Sequence, residues 1–562
     1  MSFNTGKAKK TGHTSKADRK AVKDAERIRA KEEKAEASKV TARKWSHQQL
    51  AIFKACKDTR ANLVVEALAG TGKTTTMVEA TNYLGGTTLL CAFNKRIADE
   101  LKAKIGENQY KHVSTLHALG LRLIKRIMPN VEVSDPPHER GLRLAAEALK
   151  SLGSPILSKS YLWAIHKTAS TCKEVAPFMT YTDGPGREDA LKAVEAIGFG
   201  YGHLEGIVPK NLEMVCAAVL KSMELSITTN DGIVDYSDML YLPLHRSATR
   251  GEYDNVIVDE AQDMNRSQLE LAQRVMREGG RIIVVGDRHQ AIYGFRGADR
   301  GSMDRLAKAF TATLLPLNIT YRCPKLVVAA AQAFVPEFMA ADSAPEGTET
   351  FASRADVLKN AKPGDFILSR LNAPLLGICL ELVNAGKRAK VEGRDIGQQL
   401  VNVIRKITFG NPSVPIETML QGLGAWRESA VAKATALDDE DRVAAIQDQA
   451  YALTTLAQDV QNTGALERVI QSLFTDDAKG DGGIVCSTVH KAKGLESDRV
   501  FILANTFKGH WGPQGGSEEG NLKYVAITRS KRELVWVDRT DALRVALKHL
   551  TKHEDPCALG HE

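Results

Sequence analysis

The fold is decided by residues 61–75, which read ANLVVEALAGTGKTT. The first seven of them form an apolar run of strand length, and a helix-forming sequence starts at Lys73. Between the two, Gly70 and Gly72 let backbone N–H groups turn toward one point, where the helix N-terminus adds partial positive charge. The spacing matches the motif G-x-x-x-x-G-K-[ST], except that Ala67 stands at the first glycine. We therefore predict a phosphate-binding loop between a strand and a helix, as in α/β proteins.

This loop (residues 67–74, the phosphate loop) is expected to bind a nucleoside triphosphate. Lys73 is spaced to reach the β- and γ-phosphates, and the Thr74 hydroxyl is expected to ligate Mg²⁺. The predicted nucleotide-binding residues of this segment are Ala69, Gly70, Thr71, Gly72, Lys73, Thr74 and Thr75.

A second motif, VIVDEAQD at residues 256–263, sets two adjacent acids at the end of an apolar run. Asp259 is expected to hold Mg²⁺, directly or through water, and Glu260 to orient and deprotonate an attacking water. A phosphate loop alone also occurs in kinases and GTPases. The acidic pair narrows the choice among these classes of nucleotide-binding protein.

The rest of the chain alternates between short apolar runs and helical patterns. Strands that end in polar residues are typical of a doubly wound sheet with its ligand at the carboxyl edge. We therefore predict an α/β fold with two parallel-sheet domains, each carrying a helical insertion. The predicted limits are 1–44 for a basic tail, 45–121 and 231–314 for the first α/β domain, 122–230 for its insertion (the first insertion), 315–396 and 481–545 for the second α/β domain, 397–480 for its insertion (the second insertion) and 546–562 for a C-terminal tail.

Charge is distributed unevenly along the 562 residues. The basic tail holds 14 Lys/Arg and 6 Asp/Glu, an excess that equals the +8 net charge of the whole chain. The body must therefore bind any polyanion through local patches. The tail itself is expected to be either a solvated extension or an arm that contacts nucleic acid or a partner protein.

Composition also bears on the compartment. No apolar run reaches the length of a membrane span, and the Lys-rich N-terminus lacks the apolar segment of a secretory signal. The eight cysteines form no C-x-x-C pair, which fits a reducing compartment. We expect a cytoplasmic protein without a membrane partner, and the chain length suits a bacterium or a phage-infected host cell.

Further motifs resemble those of superfamily 1 helicases of the UvrD/Rep type, in the order of that family. They are WSHQQ at 45–49, AFNKRIA at 92–98, TLHALG at 115–120, VGDRHQAIYGFRGA at 285–298, TYRCP at 320–324, TVHKAKGLE at 488–496 and YVAITR at 524–529. The resemblance implies that the two sheet domains are RecA-like motor domains and that the nucleotide is ATP with Mg²⁺.

The resemblance also implies roles for residues of the nucleotide site. Gln290 would sense the γ-phosphate, and Arg322 and Arg529 would be arginine fingers that neutralise charge on the transferred phosphoryl group. Gln49 would read adenine, Tyr321 would stack on it, and Glu496 would meet the ribose.

A DNA track is implied by residues of the same motifs. Base stacking needs exposed aromatic faces, and Phe93, Tyr293 and Phe295 match the stacking positions of the family. The residues that match positions touching the strand or relaying motion are His117, Arg296, Asn372 and His490.

The expected function is that of an ATP-dependent DNA helicase moving 3′→5′ on single-stranded DNA and unwinding duplex, in replication, repair or recombination. Its substrates would be single strands and single/double-strand junctions. Because the second insertion is short for the family, a translocase that displaces proteins or recombinase filaments with little unwinding stays open. A nucleic-acid-binding scaffold with vestigial motifs is the third reading, and the intact Lys73, Glu260 and Arg529 oppose it.

Overall fold

The computed structural model describes residues 44–154, 158–180, 186–246, 248–292, 302–435, 440–458, 460–475, 482–509, 511 and 518–538. The chain divides into two units between Ala51 and Ile52. The predicted basic tail and C-terminal tail thus lie outside the described residues, apart from Lys44.

Within the described residues, strands and helices follow one another along most of the chain. The strands are β1 (Leu63–Ala67), β2 (Thr88–Ala92), β3 (Lys111–Thr115), β4 (Glu132–Val133), β5 (Ile233–Val234), β6 (Tyr253–Val258), β7 (Met276–Gly286), β8 (Thr313–Leu317), β9 (Ile319–Thr320), β10 (Met339–Ala340), β11 (Thr348–Ala352), β12 (Phe366–Ser369), β13 (Ala389–Glu392), β14 (Phe474–Thr475), β15 (Ile484–Thr488), β16 (Ser497–Leu503) and β17 (Ser530–Val537). The helices are α1 (His47–Asp58), α2 (Lys73–Ala80), α3 (Lys95–Ile105), α4 (Leu116–Ile127), α5 (Glu139–Ser151), α6 (Lys159–Val175), α7 (Arg187–Gly200), α8 (Pro209–Thr228), α9 (Tyr236–His245), α10 (Arg266–Arg274), α11 (Ser302–Ala309), α12 (Lys325–Gln332), α13 (Arg354–Asn360), α14 (Asn372–Asn384), α15 (Arg394–Thr408), α16 (Ile416–Thr435), α17 (Glu440–Leu456), α18 (Thr463–Leu473) and α19 (Glu518–Ile527).

The first unit is described from residue 44 and contains the start of α1. A reciprocal cap holds that start: the Ser46 N–H donates to Gln49 Oε1 at 3.0 Å, and the Gln49 N–H donates to Ser46 Oγ at 3.2 Å. This Ser-x-x-Gln arrangement satisfies two N–H groups that the first helical turn leaves without partners.

The first sheet has six strands in the order β3-β2-β6-β7-β1-β8, all parallel to their neighbours. Its central strands are apolar and buried, as expected when helices cover both faces. Parallel strands end at one edge, so the phosphate loop after β1, Asp259 after β6, Gln290 after β7 and Phe93 after β2 are brought to the same edge.

The second sheet has seven parallel strands in the order β11-β17-β16-β12-β15-β13-β14. The two parallel sheets with their helices confirm the predicted α/β fold with two RecA-like domains. Two strands fall outside the predicted domain limits. β8 pairs with β1 as far as Leu317, past the limit at 314, and β14 joins the second sheet from within 397–480.

The first insertion has its own apolar core, built mainly from α5, α6 and α8, with Tyr241 and Leu242 of α9 packed against them. Small and branched side chains pack there at helical spacing, including Ala145, Ala148 and Leu149 of α5. A buried ionic cluster lies beside this core. Asp238 accepts hydrogen bonds from Arg140 Nη1 at 2.5 Å and Lys173 Nζ at 2.6 Å, so three helices meet at one carboxylate.

The second insertion shares its core with the second sheet. One continuous apolar cluster contains Leu376 of α14, Leu400 of α15, Leu453 of α17, Leu466 of α18 and Ile484 of β15. Burying these side chains together makes the helices of the second insertion a layer of the second α/β domain.

No helix in the part of the chain that the structure describes has both the length and the apolarity needed to cross a membrane.

Candidate functional site

A cleft of about 920 Å³ runs along the carboxyl edge of the first sheet and is closed from the other side by segments of the second α/β domain. Its walls carry residues predicted from motifs that lie far apart in the sequence. The predicted residues that line it are Gly70, Thr71, Gly72, Lys73, Thr74, Thr75, Phe93, Asp259, Glu260, Gln290, Tyr321, Arg322, His490, Glu496 and Arg529.

The phosphate loop has the left-handed backbone at both of its glycines that a tight turn before a helix requires. Gly70 and Gly72 have φ values of 69° and 81°, in the left-handed region that favours glycine, and Gly72 immediately precedes α2. Gly70 has a second constraint, because a Cβ on it would collide with the side chains of Arg322 and Thr320. The loop is therefore tightly apposed to the segment that carries one predicted arginine finger.

Lys73 and Glu260 form an ion pair, with 3.3 Å between Lys73 Nζ and Glu260 Oε1. Burial alone would lower the pKa of Lys73, but the carboxylates of Glu260 and Asp287 outweigh it and raise the pKa. Conversely, burial opposes ionisation of Glu260, and Lys73 more than compensates, so the pKa of Glu260 is lowered. Both groups are thus charged at neutral pH.

Asp259 and Glu260 differ in electrostatic environment although they are adjacent. Burial, followed by repulsion from Glu260, raises the pKa of Asp259. Glu260 has a left-handed backbone, with φ of 53°, and its Oε2 accepts a 2.5 Å hydrogen bond from Gln262 Nε2. Two half-buried carboxylates facing one lysine leave net negative charge, and with the Thr74 hydroxyl lining the same cleft this donor set suits an oxygen-preferring cation such as Mg²⁺.

Gln290 is held by a charged neighbour and by the second α/β domain. Its Nε2 donates to Asp287 Oδ2 at 2.6 Å, and its backbone oxygen accepts from Lys493 Nζ at 2.7 Å. Lys493 also donates to Asp263 Oδ2 at 2.5 Å. The predicted γ-phosphate sensor is thus tied to both sides of the cleft.

Two predicted residues, Arg322 and Glu496, form a pair with each other. The distance from Arg322 Nε to Glu496 Oε2 is 2.7 Å. Tyr321, which precedes Arg322, keeps 51% of its surface exposed beside the cleft, so its ring is available for stacking.

Arg529 is 1% exposed. Its guanidinium donates to the Val525 and Leu495 carbonyls at 3.0 and 3.2 Å. Burial, and then repulsion from Arg322, lowers the pKa of Arg529 to about 10, so it remains charged at neutral pH. The two predicted arginine fingers thus line the same cleft.

The predicted DNA track is brought together only in part. Phe93 is 41% exposed, and His490 lines the cleft with it. His117 contacts Tyr236 edge-on at 6.2 Å between ring centres, and burial lowers the pKa of His117. Asn372 lies elsewhere: its Nδ2 donates to Asp448 Oδ2 at 2.9 Å, which joins α14 to α17.

The other predicted residues are not among those that line the cleft. Tyr293, Phe295 and Arg296 lie outside the described residues. Gln49 belongs to the first unit, where it forms the cap described above. Ala69 is buried, and its N–H donates to Tyr524 Oη at 2.9 Å.

Motif spacing alone missed three residues of the site: Asp287, Lys493 and Tyr524. Each lies inside a quoted motif, three to five residues from a predicted site residue. Their importance comes from contacts between segments more than 200 residues apart, such as Lys493 with Asp263. The sequence feature that could have identified them is their place within these motifs, because the polar residues of one motif lie close together in the fold.

Two parallel-sheet domains with a phosphate loop, adjacent acids and two arginines at one cleft define a P-loop protein of the RecA-like class. Residues 45–311 match the UvrD/REP helicase N-terminal domain, and residues 483–537 match the UvrD-like helicase C-terminal domain. Together the two matches cover more than half of the chain, and the chain belongs to the UvrD/Rep-like family of superfamily 1 helicases.

Individual relatives agree with this assignment. F-box DNA helicase protein 1 of Schizosaccharomyces pombe is 26% identical over 523 residues, which cover 85% of this chain and 55% of that protein. ATP-dependent DNA helicase Rep of Escherichia coli is 25% identical over 304 residues, 48% of this chain and 41% of that protein. ATP-dependent DNA helicase PcrA of Staphylococcus epidermidis is 24% identical over 333 residues, 54% of this chain and 42% of that protein. The chain spans about half the length of these relatives.

Proposed function

We propose that the protein is an ATP-dependent DNA helicase that moves 3′→5′ along single-stranded DNA and unwinds duplex. The observation that carries this proposal is one cleft lined by the phosphate loop and acidic pair of the first sheet and by Arg322 and Arg529 opposite them. Relatives named as ATP-dependent DNA helicases support the choice of ATP and DNA.

Hydrolysis in this proposal begins with an exchange of partners by Lys73. Before ATP binds, Lys73 pairs with Glu260 and keeps the pKa of that carboxyl low, which makes Glu260 a weak base. Phosphates compete for the Lys73 ammonium, because they are the stronger anion in the loop. Glu260 then loses its main stabilising charge and becomes a better acceptor for the proton of the attacking water.

Mg²⁺ would be held by the Thr74 hydroxyl and the Asp259 carboxylate. When bound, it neutralises charge on the β- and γ-phosphate oxygens. The raised pKa of Asp259 agrees with this role, because a half-buried carboxylate beside another acid is stabilised by a cation.

The Arg322–Glu496 pair would also exchange partners. Arg322 would turn to the transferred phosphoryl group, and Glu496 would be released to the ribose. Arg529 already has its guanidinium fixed by backbone carbonyls, so it would act without a large rearrangement. Tyr321 would stack on the adenine, with Gln49 reading its edge.

Coupling to DNA would pass through residues next to the cleft. Phe93 would stack on bases, and His117, His490 and Asn372 would touch the strand or relay motion, together with Tyr293, Phe295 and Arg296. We place the substrates as single strands and single/double-strand junctions, and the pathway as replication, repair or recombination in bacterial or phage-infected cytoplasm.

Strand displacement tests this function. Duplexes with a 3′ or a 5′ single-stranded overhang would be incubated with the protein and ATP, while phosphate release is measured in parallel. We expect separation of the 3′-overhang duplex and little separation of the 5′-overhang duplex. Separation of only the 5′ substrate would refute the polarity, and phosphate release without separation of either would refute unwinding.

A translocase that displaces proteins is the second candidate. It is favoured by the shared core of the second insertion and the second sheet, since a helical layer fixed to the motor leaves less independent surface for opening a duplex. Displacement of a protein bound to single-stranded DNA, without strand displacement, would decide for it.

A further inference from the structure

Two consecutive residues of the phosphate loop are held from outside the first sheet. The Tyr321 N–H donates to the Gly70 oxygen at 2.9 Å, and the Ala69 N–H donates to Tyr524 Oη at 2.9 Å. Tyr524 lies on α19, and its ring packs edge-on against Phe338 at 5.6 Å in the core of the second α/β domain. The shape of the loop is therefore linked to the position of that domain.

The Tyr524 hydroxyl has a second partner in the first domain. Its oxygen lies 3.4 Å from Asp287 Oδ2, to which it donates. Burial, and then the negative charge of Asp287, raises the pKa of Tyr524, so the phenol keeps the proton needed for this bond. Tyr524 is fully buried, and in this arrangement of the two domains its hydroxyl finds its partners in Ala69 and Asp287.

Asp287 connects Tyr524 to both groups on which hydrolysis depends. Its Oδ2 accepts from Gln290 Nε2 at 2.6 Å. Its backbone N–H donates to Gln262 Oε1 at 3.0 Å, and Gln262 Nε2 in turn donates to Glu260 Oε2 at 2.5 Å. One hydroxyl thus touches a network that orients both the predicted γ-phosphate sensor and the predicted base.

We propose that Tyr524 is a positioning residue that couples closure of the cleft to hydrolysis. Closure sets its hydroxyl between the Ala69 N–H and Asp287, and this fixes the loop and the Asp287 network relative to Arg529, five residues along the chain. Opening of the cleft breaks both bonds. The inference rests on the proposed function and deepens it, because it assigns the link between domain movement and the chemical step.

The test removes the Tyr524 hydroxyl. Tyr524→Phe keeps the ring and its packing and removes both hydrogen bonds. We expect its dissociation constant for ATP to stay within about twofold of the wild type, while kcat with saturating single-stranded DNA falls ~10-fold, because misplacement of reacting groups costs rate more than binding. Amide exchange at Ala69 should also become faster.

Tyr253→Phe is the matched control. Tyr253 is also buried in the first domain, and its hydroxyl accepts one hydrogen bond, from Arg122 Nη2 at 2.7 Å, away from the cleft. We expect this variant to leave kcat and Ala69 exchange unchanged. An equal loss of kcat in both variants would overturn the inference, since it would report a general effect of removing a buried hydroxyl.

Failure of the inference and failure of the proposed function give different results. If the wild type hydrolyses ATP and Tyr524→Phe does so with an unchanged kcat, the inference is wrong and the function stands. If the wild type hydrolyses no ATP, the function fails, and unchanged Ala69 exchange in Tyr524→Phe would separately overturn the link. Asp287→Asn provides a second variant: kcat should fall while Ala69 exchange stays slow, because the Tyr524 hydroxyl still accepts from Ala69.

Discussion

Lys73 and Glu260 are charged partners in this structure, and their roles become different once ATP binds. Lys73→Ala removes the cation facing the phosphates, so both affinity for ATP and turnover should fall. Glu260→Gln keeps the shape and removes the base, so ATP should still bind while turnover falls ~10²–10⁴-fold. Equilibrium binding of a fluorescent ATP analogue and phosphate release measure the two effects.

A surface lysine provides the control for that comparison. Lys111 donates to Asn82 Oδ1 at 2.7 Å on the exposed side of the first sheet, and Lys111→Ala should leave both measurements unchanged. Equal loss of ATP binding in Lys73→Ala and Glu260→Gln would contradict the assigned roles.

At the residue scale, the sequence predicted well where a motif is local and poorly where partners are distant. Gly70, Gly72 and Lys73 lie within a few residues, so spacing alone specified the loop. The Arg322–Glu496 pair joins residues 174 positions apart, and Asn372 meets Asp448 across 76 positions. Such pairs depend on tertiary packing, which residue spacing does not encode.

Among the elements, the helices α5, α6 and α9 are joined by the carboxylate of Asp238. Its side chain is fully buried, and Asp238→Asn would leave the buried Arg140 and Lys173 with only their more distant carboxylates, Asp231 at 3.6 Å and Asp235 at 3.8 Å. We expect a loss of up to ~3 kcal/mol in the free energy of unfolding of the first insertion, the lower end of the usual cost of breaking a buried pair, because the two cations keep a second carboxylate. Urea unfolding followed by the fluorescence of Trp163 measures it.

Glu188→Gln is the control in the same insertion. Glu188 pairs with Lys192 at 2.7 Å on the exposed surface of α7, where an ion pair adds little. A similar shift of the urea midpoint in both variants would show that the buried Asp238 cluster contributes no more to stability than an exposed ion pair.

His166, on α6, makes the same insertion sensitive to acid. Burial, and then the charges of Lys167 and Lys173, lowers the pKa of His166 to about 4. Below the ordinary value of about 6.5 the unfolded chain therefore binds a proton that the folded chain does not, so stability is full above that value and falls as the pH drops toward 4. This residue should account for a loss of about 1 kcal/mol between pH 7 and pH 5.5.

Urea unfolding at several pH values checks this expectation. In His166→Gln, which has no proton to gain, the loss between pH 7 and pH 5.5 should be smaller than in the wild type. An identical pH profile in the two proteins would contradict it.

Predicted elements were most accurate where burial dictates the pattern. β1 and β2 lie within two residues of the apolar runs at 61–67 and 87–93 that predict them, since both strands are central and buried. α2 begins at Lys73, as the phosphate-loop motif predicts. The apolar run at 282–286 predicts a strand there, but β7 begins six residues earlier, at Met276, because its first residues are exposed and carry no apolar signal. β3, with the polar sequence KHVST, was missed for the same reason.

For the whole molecule, the α/β class followed from the sequence, but the strand orders and the sharing of cores did not. The first insertion has a separate core, whereas the second insertion is continuous with the second sheet. Both blocks read as amphipathic helices, and only the packing partner of the apolar face distinguishes them. Pattern specifies the face, and tertiary structure specifies what covers it.

Deletion of residues 1–44 tests whether the positive charge concentrated in the basic tail contributes to DNA binding. The deletion removes the whole +8 excess and no motif. If the tail binds single-stranded DNA, the slope of log affinity against log salt should flatten by roughly 0.7 for each phosphate that the tail neutralises, while ATP turnover at saturating DNA is kept. An unchanged slope would assign the tail to solvent or to a partner protein, and a collapse of turnover would make it part of the motor.

The central claim is that one cleft hydrolyses ATP in response to single-stranded DNA, and ATP turnover with and without an oligonucleotide tests it most directly. Gln290 is hydrogen-bonded to Asp287 in the first domain and to Lys493 in the second. Closure of the cleft on binding DNA should therefore change the position of Gln290 at the site of hydrolysis. We expect turnover by the full chain to rise several-fold on adding single strands, and Glu260→Gln to stay at background under both conditions. Equal turnover with and without DNA would contradict the account.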